Sequence, residues 1–94
     1  MIERTITVIP EDGLHARPAS QVVEAANEYD SSVTIGPAGS EGVDAASMLA
    51  VTGLGVGPGD DVDITADGPD AEEAISTLEE ILTTPEHGDN GANE

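Results

Sequence analysis

A histidine and an arginine two residues apart, His15 and Arg17, lie in the run Gly13-Leu14-His15-Ala16-Arg17-Pro18-Ala19-Ser20. Their types and spacing suit a phosphoryl group held at the start of a helix. If His15 is the N-cap, Ala16, Arg17 and Pro18 fill the first turn, whose N–H groups lack partners within the helix. Pro18 is tolerated there because it has no N–H to lose and its φ already suits a helix. The amides of Ala16 and Arg17 are then placed at the positive end of the helix dipole, facing an anion beside the imidazole. A neutral ring is needed for attack on phosphorus, and the same dipole is expected to disfavour the imidazolium of His15. Arg17 and the first-turn amides would hold the equatorial oxygens of the transferred group. A single guanidinium also lets that group leave again. The same residues would equally suit an ordinary polar helix start in which Arg17 pairs with a nearby acid. Against this, Arg4 and Arg17 are the only basic residues, set against 20 acids.

The elements that must carry this site follow from periodicity. Ile2 to Ile9 alternates loosely, with Ile2, Ile6 and Val8 on one face, and reads as a strand. Pro10 to Gly13 reads as a turn. From Ala16 to Glu28, Ala19, Val22, Val23 and Ala26 recur on one helical face, with Gln21, Glu24, Asn27 and Glu28 on the other. Val33 and Ile35 mark a second strand, Gly36 to Ser40 a turn, and residues 41–45 a returning third strand. Met48 to Thr52 is a short helix with Ser47 at its N-cap. The glycine run from Gly53 to Gly59 lacks the Lys and Ser/Thr of a nucleotide loop, and reads as turn chemistry leading to a fourth strand through Val62, Ile64 and Ala66. A last helix shows a continuous stripe of Ala71, Ala74, Ile75, Leu78, Ile81 and Leu82. Asp70 and Glu73 are spaced as a capping box, and Pro85 ends the helix. The order β-α-β-β-α-β-α predicts an α+β open-faced sandwich, a four-stranded antiparallel sheet with three helices on one face.

At 94 residues the chain supports one domain, residues 1–83, followed by an acidic tail, 84–94, that reads as disordered and contains His87. The core must be aliphatic, because Tyr29 is the only aromatic residue. The absence of Cys excludes a disulfide scaffold, and no His or carboxylate pair has metal-ligand spacing, so no metal or other cofactor is expected. Neither a membrane span nor a signal segment is visible, which makes the cytoplasm the default location. A net charge of −18 without lysine predicts self-repulsion in dilute buffer. At roughly molar salt the Debye length falls to about 3 Å, so such a surface suits a very salty cytoplasm. Nucleic acids and anionic membranes are excluded as partners by the same charge.

The unbroken run from Gly13 to Ala19 resembles the active-site signature of the HPr family, the histidine-containing phosphocarriers of the phosphoenolpyruvate:sugar phosphotransferase system, and the order of elements agrees over residues 1–83. The resemblance implies that phosphorylated enzyme I passes a phosphoryl group to Nδ1 of His15. The carrier then donates it to a IIA component of a sugar transporter, or to a IIA-like subunit of a dihydroxyacetone kinase. Such a protein is a monomeric carrier in a relay for sugar uptake, not an enzyme that turns over alone. Ser47 aligns with the family's regulatory serine, although Met48-Leu49-Ala50 follows the kinase-linked pattern only in part and an N-cap role accounts for the residue. Docking is implied for Ser20, Gln21, Met48, Leu49 and Thr52. Glu24, Asn27 and Ala50 stand where lysines are frequent in the family. An acyl carrier is excluded because Ser20 and Ser47 are followed by Gln21 and Met48 instead of an Asp-Ser-Leu site. A regulatory module controlled through Ser47 is the alternative.

Overall fold

The structure, a computed structural model, describes residues 1–11, 13–14 and 16–84. Seven elements follow in the order β1 (Ile2–Thr7), α1 (Ala16–Glu28), β2 (Ser32–Pro37), β3 (Val43–Asp44), α2 (Met48–Thr52), β4 (Asp61–Asp67) and α3 (Ala71–Thr83). The order is the one expected. Strand pairing is antiparallel throughout, with the sheet arranged β1-β4-β2-β3. The last strand in sequence therefore separates the first two in space.

Alternation decides what each strand buries. Val62, Ile64 and Ala66 of β4 and Val33 and Ile35 of β2 are buried, and register brings Ile64 opposite Ile35 on one side and Arg4 on the other. Arg4 thus shares the inward row of Ile2 and Ile6, and at the sheet's edge its Nη1 reaches Glu79 Oε1 of α3 at 2.5 Å. The outer face carries Glu3, Thr5, Thr7, Asp61, Asp63, Thr65 and Thr34; Thr5 and Thr7 donate to Asp63 and Asp61 at 2.5 and 2.6 Å. Thr34 and Thr65 join by a hydroxyl–hydroxyl hydrogen bond. This face is polar and no described element covers it, as expected of an antiparallel sheet with one layer of helices.

α3 packs across β1 and β4 and against α1, while α1 also meets α2. In α1 the buried positions are Pro18, Ala19, Val22, Ala25 and Ala26. Val23, expected on the buried face, is half-buried against the core, and Ala25 is buried as well, because α1 packs on both α3 and α2 and needs a broader apolar stripe. α3 buries Ala71, Ala74, Ile75, Leu78 and Leu82, with Ile81 at the margin.

The expected capping box does not form. Asp70 is the N-cap of α3 but makes no side-chain cap bond. Its carboxylate accepts instead from the Asp30 N–H at 2.8 Å and the Ser31 hydroxyl at 2.5 Å, tying the start of α3 to the α1–β2 turn. These two donors, Ser31 first, hold the Asp70 carboxyl below its usual value of 3.8. Gly68 allows the approach, since a Cβ there would stand 2.5 Å from the Asp30 carbonyl oxygen. Thr84 leaves α3 in an extended conformation, φ −98° and ψ 123°, as the residue before a proline should. From Pro85 onward, His87 included, the expected tail lies outside the described residues.

Candidate functional site

The run that precedes α1 is braced from a distance. Leu14 is fully buried, and its N–H donates to the Val56 carbonyl at 3.0 Å. Gly13 closes the preceding turn with a bond from its N–H to the Pro10 carbonyl at 2.9 Å. Its φ of 62° is left-handed, and an added Cβ would overlap the Val56 carbonyl oxygen and stand 2.7 Å from Gly57 Cα. Only glycine satisfies both conditions. The glycine run after α2 is therefore more than turn chemistry: its residues 56–57 form the wall against which the signature rests. Periodicity carries no sign of a contact between positions some forty residues apart.

His15 lies outside the described residues. Its neighbours define where the chain enters and leaves that position: Leu14 is anchored in the core, and Ala16 opens α1. Ala16, expected as an ordinary first-turn residue, has a φ of 54°. A left-handed alanine costs about 1–2 kcal/mol, so the surrounding contacts impose this sharp entry into the helix. Arg17 is exposed one residue further on. Among the described residues the ion pairs join Arg4 to Glu79 and the amino terminus to Asp67, and Arg17 takes part in neither. No acid occupies the first turn of α1.

Ser47 is the N-cap of α2, its Oγ accepting from the Ala50 N–H at 3.3 Å. Beyond it, Met48 is 41% and Leu49 85% exposed, so neither is a core residue. Ser20 and Gln21 are exposed on α1, Gln21 bordering a groove toward Thr77 and Ile81 of α3. Thr52 is half-buried and turns its hydroxyl back to the Met48 and Leu49 carbonyls at 2.9 and 3.3 Å.

One signal of the site was present in the sequence and is recognised only once the fold joins its halves. In a chain with 20 acids, residues 13–23 and 45–59 contain none. The packing of α1 on α2 and the bond from Leu14 to Val56 make these two segments neighbours. Among the described residues no cluster of three or more His, Asp and Glu could hold a metal, and no helix is long and apolar enough to cross a membrane.

Residues 2–84 match the family model described as PTS HPr component phosphorylation site. The chain belongs to the HPr family. It is 60% identical over 86 residues to the phosphocarrier protein HPr of Haloferax volcanii, covering 90% of this chain and 97% of that one. Identity to the Streptomyces coelicolor phosphocarrier protein HPr is 44% over 82 residues, covering 87% and 88%. The crystal structure of an HPr from Bacillus anthracis superimposes with a TM-score of 0.81 at 33% identity, over 86% of this chain and 95% of that chain. As an HPr family member, the protein is a phosphocarrier of the phosphotransferase system, and its open-faced sandwich is the family's fold.

Proposed function

We propose that this HPr family member accepts a phosphoryl group on His15 from phosphorylated enzyme I and donates it to a IIA component of a sugar transporter, or to a IIA-like subunit of a dihydroxyacetone kinase. The observation that carries this reading is the exposure of Arg17 at the start of α1, two residues after the signature histidine in sequence, where residues 13–23 and 45–59, which contain no acid of their own, come together. Elsewhere on a chain of net charge −18, a dianionic group would be bound in direct contact with carboxylates, where screening is least effective. An imidazole nitrogen of His15 attacks phosphorus as the bond to the donor's nitrogen breaks, and Arg17 with the amides of Ala16 and Arg17 stabilises the equatorial oxygens. The proposed modified atom is Nδ1. Leu49 and Met48, with Ser20 and Gln21, supply the docking contact, which depends on apolar burial because salt screens steering.

The carrier acts as a monomer in a salty cytoplasm. Intact mass in concentrated KCl, after incubation with phosphoenolpyruvate and enzyme I from the same cell, tests the relay. One acid-labile phosphoryl group, absent from His15→Ala, is expected; an active enzyme I that leaves the wild type unmodified overturns it. The second reading, a regulatory module, rests on Ser47 at the start of α2, and an acid-stable phosphoryl group retained by His15→Ala would favour it.

A further inference from the structure

The peptide unit joining Val56 to Gly57 is gripped at both ends. Its carbonyl oxygen accepts the Leu14 N–H at 3.0 Å, and its N–H donates to Asp60 Oδ2 at 2.9 Å. Asp60 is held in turn by its own backbone: its N–H reaches the Gly57 carbonyl at 3.2 Å, and its carbonyl accepts from Val8 at 2.9 Å. Gly59 donates to the Val8 carbonyl at 2.7 Å, closing the turn onto the end of the first strand. A peptide whose N–H faces a carboxylate has its carbonyl directed the opposite way, and hydrogen bonds in such a chain polarise one another. Here that direction is toward Leu14.

We propose that Asp60 is a positioning residue for phosphoryl acceptance, acting through the Val56–Gly57 peptide on Gly13 and Leu14, the two residues that precede His15. The inference rests on the carrier reading above. Asp60 is exposed, so water competes for its carboxylate and its hydrogen bond adds little to global stability. What it supplies is orientation. Without an acceptor for its N–H the peptide is held only at its carbonyl end, and a rotation that withdraws the carbonyl from Leu14 shifts the backbone at Gly13 and Leu14. A displacement of about 1 Å at a reacting group can cost on the order of 100-fold in rate.

Two variants separate positioning from structure. Asp60→Ala removes the acceptor, while Asp60→Asn keeps an oxygen in the same place. Each is measured at a KCl concentration where far-ultraviolet circular dichroism shows it fully folded. The readouts are hydrogen exchange at the Leu14 amide, which needs no partner, and the single-turnover rate of phosphoryl acceptance at saturating phosphorylated enzyme I. For Asp60→Ala we expect Leu14 exchange about tenfold faster and acceptance about tenfold slower, with an unchanged half-saturating concentration of enzyme I. Asp60→Asn should restore both to within about twofold. A fully folded Asp60→Ala protein that accepts at the wild-type rate, or an Asp60→Asn protein as slow as Asp60→Ala, overturns the inference. If the wild type itself accepts nothing, the carrier reading fails and takes this inference with it, an outcome told apart because the variant is then not the cause.

Discussion

Arg4 and Arg17 are the same side chain in opposite situations. Arg4 lies on the inward row of β1 and meets Glu79, a half-exposed pair worth at most about 1 kcal/mol. Arg17 is exposed at the start of α1, where a planar fork can hold two phosphoryl oxygens. Arg17→Ala is therefore expected to slow phosphoryl acceptance about 100-fold with the fold intact, measured by single-turnover transfer, whereas Arg4→Ala should leave that rate unchanged. His15→Ala should abolish acceptance altogether. Asp70 offers a test at another kind of site. Its folded-state carboxyl titrates below the ordinary value, so its contribution is present above about pH 4 and is lost as the pH falls through the lowered folded value. Asp70→Ala should lower the unfolding midpoint at neutral pH, and the gap from wild type should narrow on acidification. Asp70 also shows where sequence reasoning stops at this scale. Its spacing to Glu73 is that of a capping box, but Ser31 and the Asp30 amide, brought in by the chain reversal, win the carboxylate.

At the scale of elements, what is local was legible. The bounds of α1, the Ser47 cap on α2 and the apolar stripe of α3 all follow from neighbouring residues, because helices are fixed by contacts three and four positions apart. The wall behind the signature was not legible, since Gly13 meets Val56 and Gly57, more than forty positions away in sequence, only through the tertiary fold. Gly13→Ala combines a left-handed φ with overlap against backbone, and should cost about 2–4 kcal/mol in denaturant unfolding. Ser47→Ala removes one cap bond and should cost about 1 kcal/mol, leaving acceptance at His15 unchanged. Leu49→Ser, on a residue 85% exposed, should move stability by less than about 0.5 kcal/mol while weakening enzyme I binding about tenfold, read by titration calorimetry.

For the whole molecule, charge and topology set the terms. Acids line the outer sheet face and both long helices, so raising KCl from about 0.1 M to several molar should raise the thermal midpoint. A midpoint that stays level or falls would show that the surface is not adapted to salt. Topology bears on time. β4 lies between β1 and β2, and the turn that supports Leu14 immediately precedes it. At about 5–20 residues per second, a ribosome making this chain would finish the signature several seconds before the residues that brace it. A nascent chain therefore carries its histidine before the residues that brace Gly13 and Leu14 exist, and the carrier proposed above becomes a competent acceptor only once synthesis has passed β4.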